Sequence, residues 1–383
     1  MKLLFVSNGH GEQAIAARIA KALQALAPVE IDHLALVGDV PADLGMRAVG
    51  PRSTMPSGGL LAMGNIRNIL SDIGAGLIAH TLRQCVFLTQ SRYKYDATVA
   101  VGDIFALLMA LRSRCPAVYV GTAKSVHVAP YGWLERKILR SAVRVFVRDE
   151  PTAHALLQHG IHAQAPGNVI ADFYLDSSPA HRTQIGTKVL ILFPGSRQRA
   201  YDEAVFLTRV VREVAKTRGD VAALLSIAPG LEAATFADVL RADGWLIRPT
   251  LTADISFDAL SEGRLVLQGW TGSFSALLRD ATLVLGQAGT ANEAAAAAGI
   301  PVVTFEDDGQ RSKDWYRMRQ IGLLGDAMHI TERNLTRASA TVLELLADEE
   351  RRAHMGQIGQ QRMGPPGGAR AIANQIVSLI END

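Results

Sequence analysis

The chain has 383 residues, 48% of them hydrophobic and 20% charged, which is enough for two domains with sizeable cores. Its 39 Lys and Arg against 37 Asp and Glu leave a formal net charge of +2, which excludes a global attraction to nucleic acid or to an anionic membrane, so any basic site must be local. Cys85 and Cys115 are too few for a disulfide framework and lack metal-ligand spacing, which points to a reducing, cytoplasmic compartment. The apolar run at 3–6 is far too short for a signal peptide or a span, so a soluble protein is expected, with peripheral membrane contact left open.

Residues 3–6 read as a strand, NGHG at 8–11 as a glycine turn, and 12–26 as a helix with Ile15, Ile19, Ala22, Leu23 and Leu26 on one face. A second strand is expected near 31–37. Residues 38–95 are the least decipherable part, with a Gly/Pro-rich connector (PRSTMPSGG) before an apolar helical pattern around 60–88. Regular alternation follows: strand 97–101, helix 104–113, strand 117–120, helix 131–141, strand 143–147, helix 151–158. The segment 176–187 is polar, carries Ser, Pro and Gly, and reads as a linker. A second series then begins, with strand 189–193, helix 201–217, strand 221–227, helix 232–242, strand 263–267 and helix 272–279. The stretch 282–305, TLVLGQAGTANEAAAAAGIPVVTF, is a compact βαβ unit in which Gly286 and Gly289 form the turn and Gly299 ends an alanine-rich helix. A helix near 314–321 and three more at about 332–347, 349–360 and 369–381 complete the chain. Strands alternating with helices predict parallel, doubly wound α/β sheets. Two series of similar size predict two Rossmann-like domains facing a cleft, 1–182 and 183–383, with the last helix packing back on the first domain.

Turns that follow strands border the ligand crevice of such sheets, and there are four of them. Gly9-x-Gly11 is an incomplete dinucleotide fingerprint with Ala14 in its third position, and reads better as a tight turn. Asp103 ends the apolar strand ATVAVG just before a helix, where it is either an N-cap or a general base facing the crevice, or both. FPGSR at 193–197 sets Gly195, Ser196 and Arg197 beside a helix N-terminus, a combination suited to a diphosphate. In the 282–305 unit the helix N-terminus at Gly289 and Thr290 is a phosphate seat, and Glu293 one turn inside is placed to accept the two hydroxyls of a ribose. The same residues fit a capping box, with Thr290 as N-cap and Glu293 reaching back to it. HExxH, CxxC, GxxxxGK[ST] and GxSxG are all missing, and His10, His127 and His329 show no ligand spacing.

Two features concern a hydrophobic partner. The 60–88 pattern is too polar for a span and reads as core helix before lipid-facing surface. Arg136, Lys137, Arg140, Arg144 and Arg148 near Trp133 could meet anionic headgroups or form a solvated face.

Taken together these residues resemble a two-domain glycosyltransferase of the GT-B class, and specifically the lipid-A-disaccharide synthase family in its related branch. The resemblance rests on FPGSR at 193–197, on GQAGTANEAAAAAGIPVV at 286–303, which is similar to the family's SGTAxLEAA segment, on VGD at 101–103, and on PGNVIAD at 166–172, where Asn168 replaces the usual histidine. The family's opening AGExSGD is here SNGHGEQ, and segment 54–90 follows the related branch, so the acceptor is not fixed. The resemblance implies a UDP-sugar donor, of N-acetylglucosamine type, held by the second half, inversion at the anomeric carbon, no metal and no other cofactor. It implies Asp103 as base for a hydroxyl of a lipid-linked or amphipathic acceptor, with Glu12 and His10 on the same edge. Gly195, Ser196, Arg197, Gly289 and Thr290 would hold the diphosphate, Glu293 the ribose, and Asp307 and Gln310 the sugar hydroxyls. Such a protein works in the cytoplasm, at the inner face of the membrane. Two alternatives use the same scaffold: a UDP-sugar 2-epimerase, and a noncatalytic nucleotide-sugar-binding protein.

Overall fold

A computed structural model describes residues 1–38, 45–53, 76–122, 124–175, 188–250, 252–306 and 315–381. The connector, most of the 60–88 pattern, the proposed linker, Asp307 and Gln310 lie outside these residues. The chain divides into two compact units, Met1–Asp172 with Pro365–Asp383, and Phe173–Gly364. The division thus lies ten residues before the boundary drawn from the sequence, and the last helix belongs to the first unit.

The first unit runs β1 (Lys2–Ser7), α1 (His10–Leu26), β2 (Glu30–Ala35), β3 (Arg47–Ala48), α2 (Leu77–Gln90), β4 (Ala97–Gly102), α3 (Ile104–Ala110), β5 (Ala117–Gly121), α4 (Trp133–Leu139), β6 (Arg144–Phe146), α5 (Glu150–Leu157) and β7 (Ala163–Gln164). Its seven strands lie in the order β3-β2-β1-β4-β5-β6-β7, all parallel. Leu3, Leu4, Phe5 and Val6 are all fully buried, as a central parallel strand covered on both faces demands. The chain steps outward from β1 to β3 and then crosses to β4, so the order reverses between β1 and β4, where such sheets bind ligands.

The second unit runs β8 (Lys188–Phe193), α6 (Ala200–Thr217), β9 (Val221–Ser226), α7 (Ala233–Ala242), β10 (Leu246–Pro249), β11 (Ile255–Ser261), β12 (Arg264–Trp270), α8 (Phe274–Arg279), β13 (Leu283–Gly286), α9 (Thr290–Ala297), β14 (Val302–Glu306), α10 (Trp315–Leu324), β15 (Met328–Glu332), α11 (Leu335–Ala347) and α12 (Glu349–Met363). The strand order is β10-β11-β12-β9-β8-β13-β14-β15, with the reversal between β8 and β13. This sheet is mixed, which corrects the all-parallel expectation: β10, β11 and β12 pair antiparallel. The hairpin between β11 and β12 turns on Glu262 and Gly263, both at positive φ (52° and 76°), the twist a two-residue turn needs. The short strands β3 and β7, and β15 just before the helix predicted from 332, were likewise not legible.

The alanine helix α9 packs against α12 as well as on the sheet. A Cβ on Gly359 or Gly356 would run into the backbone carbonyls of Ala296 and Gly299, so small residues on both partners let the two backbones approach. α13 (Gly368–Glu381) closes the first unit by packing on α1. Its N-terminus is held by Asp172, whose buried carboxylate accepts the N–H groups of Gly367 and, at 2.8 Å, Ala369.

Candidate functional site

In the second unit the carboxyl ends of β8 and β13 lie side by side, Gly286 opposite Phe193, and the Gln287 N–H donates to the Phe193 carbonyl at 2.8 Å. α9 starts directly above. Its N-cap is Gly289 and no side chain caps it, which corrects the capping-box reading centred on Thr290. With the helix begun one residue early, the third helical position is Asn292, whose amide turns inward to the Gly286 carbonyl at 3.3 Å. A Cβ on Gly286 would run into that amide. The backbone N–H groups of Thr290, Ala291 and Asn292 therefore meet no acceptor among the described residues. Three open N–H groups at the positive end of a helix form an anion seat, and Glu293, nearly buried, stands in the same first turn.

A polar network fixes this turn, and its members were not singled out from the sequence. Gln320, buried on α10, donates from Nε2 to the carbonyls of Ala288 (3.1 Å) and Gly289 (3.2 Å). Arg317 donates to Gln320 Oε1 at 2.7 Å and to Gln287 Oε1 at 2.6 Å, and its Nε lies 3.3 Å from the Glu306 carboxylate. Gln287 in turn donates to the Phe305 carbonyl at 2.8 Å and accepts from Thr304 Oγ1 at 3.0 Å. By occupying the carbonyls of the turn from behind, Gln320 leaves the peptide N–H groups pointing the other way. No periodic signal singled them out, since α10 buries Gln320 and exposes Met318.

The FPGSR turn behaves differently from its sequence reading. Gly195 adopts φ +120°, and Ser196 and Arg197 are exposed. However, the carbonyls of Arg197, Gln198 and Arg199 take the N–H groups of Ala200, Tyr201 and Glu203, so the start of α6 is largely occupied. What this turn offers an anion is the Arg197 guanidinium and the Ser196 hydroxyl.

In the first unit, Asp103 is the N-cap of α3. Its Oδ1 accepts the N–H groups of Phe105 (2.9 Å) and Ala106 (3.3 Å). Glu12 Oε2 accepts the Gly9 N–H at 3.2 Å. Asn8 and Glu12 pack against Gly102, the residue before Asp103, at the reversal point: a Cβ on Gly102 would lie 3.0 Å from the Asn8 amide and 3.4 Å from Glu12 Cγ. Beside them is a small pocket, with room for about one water, whose lining includes Asn8, Leu36, Val37, Gln84, Asp103 and Phe105. Asn8 Oδ1 is buried there without a hydrogen-bond partner among the described residues. Tyr119 supports the turn from beneath, donating to the Gly102 carbonyl at 3.1 Å and lying 3.2 Å from the Tyr131 hydroxyl. Burial pushes both phenols well above their usual range. His10 begins α1, but its side chain lies outside the described residues. Among the described residues no group of three or more His, Cys, Asp or Glu is placed to hold a metal ion, and no helix is long and apolar enough to cross a membrane.

Two α/β units, each with its turns at the reversal of strand order, invite comparison with solved structures. A putative UDP-N-acetylglucosamine 2-epimerase from Listeria monocytogenes aligns over 100% of this chain and 97% of its own, with a TM-score of 0.64 at 16% identity. The fold is GT-B. Other GT-B structures agree: the S. aureus MnaA–UDP co-structure (TM-score 0.61, 16% identity, 99% of this chain and 97% of that) and CalG4, the calicheamicin glycosyltransferase (0.59, 13% identity, 99% and 98%). No protein-family model matches the sequence. No curated protein matches it. In GT-B terms, the sequence-predicted residues divide between the units, with Asp103 and Glu12 at the β1/β4 edge and Gly195, Ser196, Arg197, Gly289, Thr290 and Glu293 at the β8/β13 edge.

Proposed function

We propose that the protein is an enzyme of UDP-sugars that breaks the bond between the anomeric carbon and the diphosphate, and that it passes a sugar of N-acetylglucosamine type, with inversion, to a hydroxyl of a lipid-linked or amphipathic acceptor. The observation that carries this reading is the uncapped N-terminus of α9. Its open N–H groups suit a diphosphate, and suit it better as negative charge develops on the departing oxygen. Glu293 accepts the ribose hydroxyls, Ser196 and Arg197 meet the phosphates, and Gly195 gives their turn its shape. Asp103 takes the proton of the acceptor hydroxyl, from the wall of a small pocket lined by both polar and apolar side chains. The resemblance of the 101–103, 193–197 and 286–303 motifs to lipid-A-disaccharide synthases supports transfer to a lipid-linked acceptor, and the likeness to the MnaA–UDP structure supports a uridine nucleotide.

A second reading, UDP-sugar 2-epimerisation, has the better support from the similar solved structures, the L. monocytogenes protein among them. It uses the same nucleotide seat and needs no acceptor. Incubation with UDP-N-acetylglucosamine, with and without a lipid extract, separates the two. Transfer releases UDP only when lipid is present and adds one sugar mass to a lipid. Epimerisation changes the sugar in the absence of lipid. Failure of UDP to raise the melting temperature removes both readings.

A further inference from the structure

The peptide that joins Gly102 to Asp103 is fixed from several sides. Gly102 adopts φ +139°, a conformation that favours glycine. Its carbonyl accepts the Thr122 N–H at 3.2 Å, next to the last paired residues of β4 and β5, and also the Tyr119 hydroxyl at 3.1 Å. Tyr119 lies on β5 and is buried, so this bond is made out of reach of solvent. Tyr119 gives its single hydrogen to Gly102, which makes the Tyr131 hydroxyl, 3.2 Å away, the donor between the two phenols. A hydroxyl that itself accepts a hydrogen bond is polarised and holds its own acceptor more firmly. Tyr131 reaches this position from just before α4 because Gly121 has no side chain: a Cβ there would lie 2.5 Å from the Tyr131 hydroxyl. Burial keeps both phenols protonated through the neutral range, so neither ceases to donate.

The consequence falls on Asp103. Its Oδ1 is held by the N–H groups of Phe105 and Ala106, whereas Oδ2 makes no hydrogen bond among the described residues. A carboxylate with one oxygen pinned presents the other in a direction set by its own Cα, and the peptide before it sets that Cα. Neither phenol lines the pocket beside Asp103, so their hydroxyls act on the backbone rather than on anything bound there. Losing the Tyr119 hydroxyl frees the peptide without removing a cap from α3.

We propose that Tyr119, backed by Tyr131, is a positioning residue that aims the free oxygen of Asp103 at the acceptor hydroxyl; the inference rests on the reading of Asp103 as the base. Tyr119→Phe and Asp103→Asn, singly and combined, test it through UDP release from UDP-N-acetylglucosamine with a lipid extract. In Tyr119→Phe, kcat falls by about tenfold, since a small misplacement of a reacting group is costly. KM for the nucleotide sugar and the rise in melting temperature given by UDP stay as in the wild type, because the donor seat belongs to the other unit. The combined variant is no slower than Asp103→Asn alone, because the effect passes through that carboxylate, whereas a merely structural effect would multiply the two losses. Tyr119→Phe orphans the Tyr131 hydroxyl and melts a few degrees early. Tyr119→Phe/Tyr131→Phe removes the orphan, recovers the melting temperature and stays about tenfold slow. Wild-type kcat in the Tyr119 variants beside a slow Asp103→Asn overturns the proposal and leaves the base in place, and so do multiplied losses in the combined variant. Wild-type kcat in Asp103→Asn, or no UDP release by the wild type, overturns the reading of the base and this proposal with it.

Discussion

The carboxylate of Asp172 accepts the backbone N–H of Ala369 at 2.8 Å and so joins the end of the first unit's main segment to the start of the last helix. The chain between them makes the whole second unit. Asp172 is buried and serves two N–H groups at the positive end of α13, so its loss removes charged caps from a site that water does not refill.

Asp172→Ala should therefore destabilise the first unit by about 1–3 kcal/mol. Hydrogen exchange should show α13 and the facing α1 losing protection, while α9 and α12 keep theirs. Uniform loss across both units would mean that the two fold as one cooperative body.

Gln320→Leu should keep the fold and weaken UDP binding. It removes two hydrogen bonds to the Ala288 and Gly289 carbonyls, each about 0.5–1.5 kcal/mol, and frees the turn to reorient. Affinity should fall about tenfold by calorimetry. Unchanged affinity would show that Gly289 and Asn292 hold the turn unaided.

Glu293→Ala should cost UDP binding about 1.5–3 kcal/mol, the usual contribution of charge-assisted bonds. Because Gly289 is the N-cap, the substitution removes no cap, and a large loss of stability with normal affinity would reject a ribose contact.

Asp103→Asn should preserve stability and UDP affinity, since Asn caps helices well and Phe105 and Ala106 keep an acceptor. Turnover alone should fall by about 10² to 10⁴. Glu12→Gln and His10→Ala, measured alongside, identify the base if sugar transfer by the Asp103 variant stays near normal.

His33 gives the protein an acid limit. It is fully buried with Ser7 Oγ 2.8 Å from Nε2, and desolvation pulls its pKa from 6.5 down to about 4. The unfolded chain binds this proton first as pH falls, so the contribution is complete above about pH 6.5 and is lost between there and about pH 4, roughly 3 kcal/mol in all. His33→Gln should flatten the stability profile in that window by about one proton, read from urea midpoints at a series of pH values.

The two α/β series, the βαβ unit and Asp103 as a helix cap were legible because each rests on local signals: period, glycine placement and the residue before a helix. β11 was not, because the hairpin that joins it to β12 turns on Glu262, a residue with no strong preference for positive φ, where Asn or Asp would have announced it. The start of α9 was misread by one residue because a capping box and a glycine cap differ only in which way the Asn292 amide turns, and a carbonyl six residues back decides that. The Gln287–Arg317–Gln320 network joins segments some thirty residues apart through polar side chains, and no periodicity marks such a contact.

That the first unit is finished by residues 365–383 also bears on how the protein is made. A ribosome releases the seven-stranded sheet long before α13, so the α1 face that this helix will cover waits while the entire second unit emerges and folds. Fragments ending near Asp172 should consequently aggregate or be degraded, and supplying α13 as a separate peptide, or fusing it after Asp172 through a short linker, should rescue them. By its connectivity the chain is one Rossmann-like domain carrying another as an insertion, and a nick within the second unit should be tolerated better than loss of the chain's last turns.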